Sequence, residues 1–85
     1  MSEEKANPVK QAILDLTAEA GPGKTISAEQ AARAVSDANF QRVLKDVRAE
    51  AVRLHKAGTI LIYRKGKPVE DPDVFKGVYR LGLPA

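Results

Sequence analysis

The chain has no cysteine among its 85 residues, one histidine, few aromatics and no stretch near the 18 apolar residues that a membrane-spanning helix needs. The missing cysteines exclude a disulfide framework and any thiolate metal site, so packing alone must hold the core together. The N-terminal MSEEKANPVK has acids before its first apolar run and no apolar signal region, which with the absent thiols gives the expectation of a cytoplasmic protein that contacts no membrane. Internal repeats and low-complexity segments are absent too. What is present is ordinary for a soluble domain: 44% apolar and 29% charged residues. A chain this short forms one core and buries only about 60–65% of its unfolded surface.

The net charge of +3 conceals an uneven distribution. Residues 1–38 carry four basic and six acidic groups (net −2), residues 39–67 eight and two (net +6), and residues 68–85 two and three (net −1). Concentrated basicity of this kind is the footprint of a face that meets a polyanion. A solvated lysine-rich helix gives the same count.

Asn7-Pro8 marks a helix start, since Asn caps and Pro is favoured at the first helical position. Val9, Ile13, Leu16 and Ala20 follow on one helical face until Gly21-Pro22-Gly23 stops it. Thr25-Ile26 is long enough only for a very short strand. Ser27-Ala28-Glu29-Gln30 is a capping box opening a second helix to about Ser36, whose small face of Ala28, Ala31, Ala32 and Val35 suits close approach. Asp37-Ala38-Asn39 then breaks the chain with two residues able to cap. Phe40, Val43, Leu44, Val47, Ala51 and Leu54 trace one face of a third helix of about 18 residues, roughly 27 Å long, ending at Gly58. Thr59 to Tyr63 and Val78 to Leu81 read as strands of a hairpin. A lone hairpin is marginal in water, so it must pack on the helices, with Thr25-Ile26 available as a third strand. The expected fold is α+β: a winged helix of three helices plus a β-hairpin wing, over residues 7–83, with 1–6 a disordered N-terminus.

On the third helix, stepping 100° per residue puts Arg42, Lys45, Ala49, Arg53 and Lys56 within an arc of roughly 80° opposite the apolar stripe. Gln41 and Arg48 flank that basic ridge on one side, and Asp46 and Glu50 lie toward the other. In a helix-turn-helix, the N-terminal residues of the second helix meet base edges in the major groove. Gln41, Arg42 and Lys45 occupy those positions, and Gln and Arg are residue types that pair with adenine and guanine. Arg64, Lys65 and Lys67 continue the positive charge into the wing. Against this, any surface helix has a charged face, and Asp46 and Glu50 are spaced to pair with Arg42, Lys45 or Arg53.

Residues 64–77, RKGKPVEDPDVFKG, combine a basic half with the acidic run Glu70-Asp71-Pro72-Asp73. The 13 residues from Lys65 to Gly77 exceed the usual two to five or so of a hairpin loop, which predicts an extended wing rather than a tight turn, with Phe75 folded back on the apolar face. Gly21-Pro22-Gly23-Lys24-Thr25 lacks the preceding glycine and strand of a phosphate-binding loop. His55 has no partner spaced for catalysis, and the acids of the loop lack EF-hand spacing. No nucleophile, base and oxyanion site assemble, so the expectation is a non-enzyme with no cofactor and no metal.

The span from Ile26 to Leu81, about two-thirds of the chain, resembles a small bacterial winged-helix family catalogued as a domain of unknown function. The resemblance rests on Ile26-Ser27-Ala28-Glu29-Gln30-Ala31-Ala32-Arg33, Val47-Arg48, Gly58-Thr59-Ile60, Arg64-Lys65-Gly66-Lys67-Pro68-Val69 and Phe75-Lys76-Gly77-Val78-Tyr79-Arg80-Leu81. Members often have tryptophan where this chain has Phe40 and proline in place of Val78. The resemblance implies fold and a bacterial cytoplasmic setting, and it transfers no functional residue. Two functions follow from the residues. The first is a nucleic-acid-binding module of the transcription-regulator kind, for duplex DNA, using Gln41, Arg42, Lys45, Arg48, Ala49, Arg53, Arg64, Lys65 and Lys67. The second is a protein-interaction or assembly module whose wing docks a protein partner.

Overall fold

In the computed structural model, residues 7–84 are described, and the expected disordered segment 1–6 lies outside them. Three helices lead into a small antiparallel sheet: α1 (Pro8–Ala20), β1 (Thr25–Ser27), α2 (Ala28–Val35), α3 (Phe40–Ala57), β2 (Leu61–Arg64), β3 (Lys67–Pro68) and β4 (Arg80–Gly82). This is an α+β winged helix, with sheet order β1-β4-β2-β3.

Local signals set the helix ends. The Asn7 side chain accepts a hydrogen bond from the Lys10 amide at 3.1 Å, and Pro8 occupies the first turn. Ser27 and Gln30 close both halves of the capping box on α2, at 3.0 and 2.9 Å. Asn39 is different: its side chain caps nothing, and instead its amide donates to Ser36 Oγ at 3.2 Å across the turn into α3.

The core lies where the inner sheet face meets the helices. Ile26, Leu81 and Ile62 are register partners across three strands, and all three are buried. Period-two alternation points them together at Ile13, Val47, Ala51 and Leu54 of the helices. Each Val, Leu or Ile among these contributes about 1.5–3 kcal/mol on full burial. Ala31 and Ala32 are wholly buried, so α2 presents almost no bulk to its neighbours.

The wing departs from the sequence expectation. Lys65 and Gly66 form a two-residue turn, both at positive φ (53° and 82°), and Arg64 pairs directly with Lys67. Two consecutive positive-φ residues give the backbone twist that matches paired strands, which is why a tight hairpin is possible here. The chain then makes the short edge strand β3, where the amide-less Pro68 is tolerated. Residues 69–79 cross back to deliver β4 between β1 and β2. Pro72 and Phe75 are buried in that crossing, Phe75 against the core as expected.

Candidate nucleic-acid interface

Of the sequence-derived ridge, α3 exposes Gln41, Arg42, Lys45, Ala49, Arg53 and Lys56. Arg42 and Lys45 form no ion pair among the described residues, although Asp46 lies beside them. They stand in the first two turns of α3.

The other basic residues of α3 are engaged. Arg48 turns off the helix surface: its guanidinium carbon sits 3.9 Å from the Phe75 ring centroid, and Nη2 donates to the Phe75 carbonyl at 2.6 Å. Phe75 also meets Tyr79 edge-on at 5.0 Å. Burial raises the Tyr79 phenol above its ordinary pKa, with the nearby Arg48 charge pulling the other way.

Glu50 does not lie on the solvent flank as the helical wheel predicts; it is 6% exposed. Its Oε1 accepts from Asn7 Nδ2 at 3.1 Å and from Arg53 Nη2 at 2.8 Å. The buried stripe of α3 is therefore wider than its apolar residues, because α1 begins over Glu50. Ala49 and Arg53 accordingly border a cleft with Asn7 and Pro8 and do not extend an open ridge.

The acidic and basic halves of the loop lie apart. Lys65 and Lys67 are exposed at the turn. Asp73 pairs with Lys56 at 2.9 Å, so part of the acidic run is held at the C-terminal end of α3, away from Arg42. Arg64 donates from Nη1 to the Val78 carbonyl at 2.8 Å and is partly buried.

Three further side chains have defined tertiary positions. Arg33 stacks over Phe40 at 3.8 Å while pairing with Glu29 and Asp37, joining α2 to the start of α3. Hydrogen bonds to those two carboxylates raise its already high pKa. His55 Nδ1 accepts from the Ile62 amide at 3.0 Å, tying the last turn of α3 to β2. Arg80 Nε donates to Thr25 Oγ1 at 2.7 Å on the outer sheet face. The Phe40 stack and the His55 and Arg80 contacts depend on tertiary placement, whereas the Arg33 ion pairs are local, at i,i+4 spacing.

Among the described residues no His, Cys, Asp and Glu group could hold a metal ion, and no helix is long and apolar enough to cross a membrane. Residues 6–84 match the family described as "Protein of unknown function (DUF3253)", and the chain belongs to that family. No curated protein matches it in sequence.

Proposed function

We propose that this member of the DUF3253 family is a duplex-DNA-binding module that uses the N-terminal half of α3 and the β2–β3 turn. The single observation that carries the reading is the pair Arg42 and Lys45: both exposed, both without a carboxylate partner among the described residues, on the helix that follows a tight helix-turn. Gln41 meets base edges, Arg42 and Lys45 meet phosphate at the groove edge, and Lys65 and Lys67 reach the backbone from the wing. Arg48 is held against Phe75, Arg53 is paired with Glu50 and Arg64 is oriented by the Val78 carbonyl, so these three are secondary to Arg42 and Lys45. Ala49 borders the cleft beside Asn7 and contributes a small side chain only.

One observation favours a second reading, a protein partner: Val74, 69% exposed, projects from the acidic loop. An NMR titration with a generic DNA duplex separates the two. The first reading expects amide shifts at 41–45 and 65–67; shifts confined to 70–76, or none at low salt, contradict it.

A further inference from the structure

The outer face of the sheet carries a cavity of about 590 Å³ that no residue of α3 lines, a volume within the usual range for small-molecule sites. It arises from strand alternation: with Ile26, Ile62 and Leu81 pointing into the core, Thr25, Tyr63 and Arg80 stand on the opposite side. Gly82, between Thr25 and Tyr63, lets the aromatic ring lie across β4, since a Cβ there would come within 3.3 Å of Tyr63 Cε1 and 2.8 Å of the Lys24 carbonyl. Tyr63 is further anchored by its hydroxyl, which donates to the Leu83 carbonyl at 3.4 Å.

The charged residues lining the cavity are Arg64, Lys65 and Arg80, with no carboxylate among its lining residues. Arg80 is fixed by Thr25, through Nε to Oγ1 at 2.7 Å and Nη2 to the carbonyl at 3.2 Å. Arg64 is fixed by the Val78 carbonyl at 2.8 Å and by packing over Gly77, where a Cβ would fall 2.9 Å from Nη1. Arg33 and Arg53 are neutralised by carboxylates, whereas these two are oriented by neutral acceptors and keep their charge and spare N–H donors. Beside them, Val78 is 83% exposed, an apolar surface facing the same cavity.

Oriented guanidiniums suit a phosphate, and an anchored aromatic ring beside an exposed aliphatic suits a flat apolar group. We propose that this cavity binds a nucleoside phosphate, its base against Tyr63 and Val78 and its phosphates on Arg64, Lys65 and Arg80. The site shares Lys65 with the proposed DNA surface but no residue of α3, and it does not rest on that surface binding DNA.

The test is an NMR titration of the full chain with ADP, adenosine and inorganic pyrophosphate in turn. ADP is expected to shift the amides of Thr25, residues 63–66 and residues 78–80 saturably, with the other two probes at least about tenfold weaker, since each supplies half of the recognition. Arg80→Gln and Lys65→Gln are each expected to weaken ADP about tenfold, the scale of a lost charged hydrogen bond. Lys65 is exposed at the turn, so its variant keeps the fold even where Arg80→Gln loosens β1. Three results each overturn the proposal: no shifts in the cavity, pyrophosphate binding as tightly as ADP, or ADP affinity unchanged in both variants. Arg42→Ala leaves ADP affinity unchanged, so the site and the α3 reading fail independently.

Discussion

Arg48 lies across Phe75, its guanidinium 3.9 Å from the ring centre and its Nη2 bonded to the Phe75 carbonyl at 2.6 Å. The contact joins the middle of α3 to a loop residue 27 positions on. One side chain thus stacks on a buried ring and satisfies the loop backbone beside it. Arg48→Ala is expected to lower stability by about 1–3 kcal/mol, from lost cation–π contact, lost stem packing and an unpaired carbonyl. Urea denaturation reads this directly; a stability unchanged within about 0.5 kcal/mol would show that Arg48 is a surface charge.

Glu50 anchors the start of α1 through Asn7, whose other side-chain atom caps the same helix. Removing the carboxylate leaves the Asn7 amide without its acceptor and opens space under the first turn. Glu50→Ala is expected to cost about 1–2 kcal/mol, and Glu50→Gln less than half of that, because the amide oxygen still accepts. Hydrogen exchange localises the effect: the amides of the first turn of α1 lose protection ahead of those in α3. Uniform loss across the domain would argue against a local anchor.

Tyr79 gives the fold a sensitivity at alkaline pH. Its folded pKa is raised by burial, so the unfolded chain loses the phenolic proton first as pH rises. The stabilisation is complete below the ordinary phenol pKa near 10 and is lost as pH climbs from there through the raised folded value. Stability should therefore fall with pH in that window, and Tyr79→Phe should reduce the slope. An identical slope in the variant would mean that the phenol is not shielded.

The helices and the main strand pairing were legible because their signals are local. Asn7-Pro8, the Ser27 to Gln30 box and the apolar repeat from Phe40 to Leu54 each act within a few residues. The turn at Lys65-Gly66 was not legible, because Lys lacks the left-handed preference that Asn or Asp would advertise before Gly. Its glycine was visible, yet the length of the segment to Gly77 pointed to a single long loop. The burial of Glu50 has no local signal for a different reason. A helical wheel places residues by angle, and nothing in that angle says that α1 begins over this carboxylate. For the candidate site, exposure of Gln41, Arg42 and Lys45 followed from the wheel, whereas the inward turn of Arg48 depended on Phe75 arriving from a distant loop. Nothing local to Arg80 signals a fixed orientation, because a single arginine in a strand reads as solvent-facing and its partner Thr25 lies on a neighbouring strand.

The most direct measurement is the salt dependence of binding to a labelled DNA duplex, compared among wild type, Arg42→Ala, Lys45→Ala and Arg48→Ala. If Arg42 and Lys45 each meet a phosphate or act at the groove edge, binding weakens steeply with salt, and each of these two variants lowers the slope of log K against log salt by about one. Arg48→Ala leaves the slope unchanged, since its guanidinium is held over Phe75 and away from the proposed DNA contacts. Absent binding at low salt, or slopes that neither Arg42→Ala nor Lys45→Ala alters, would contradict the assignment of this face to DNA.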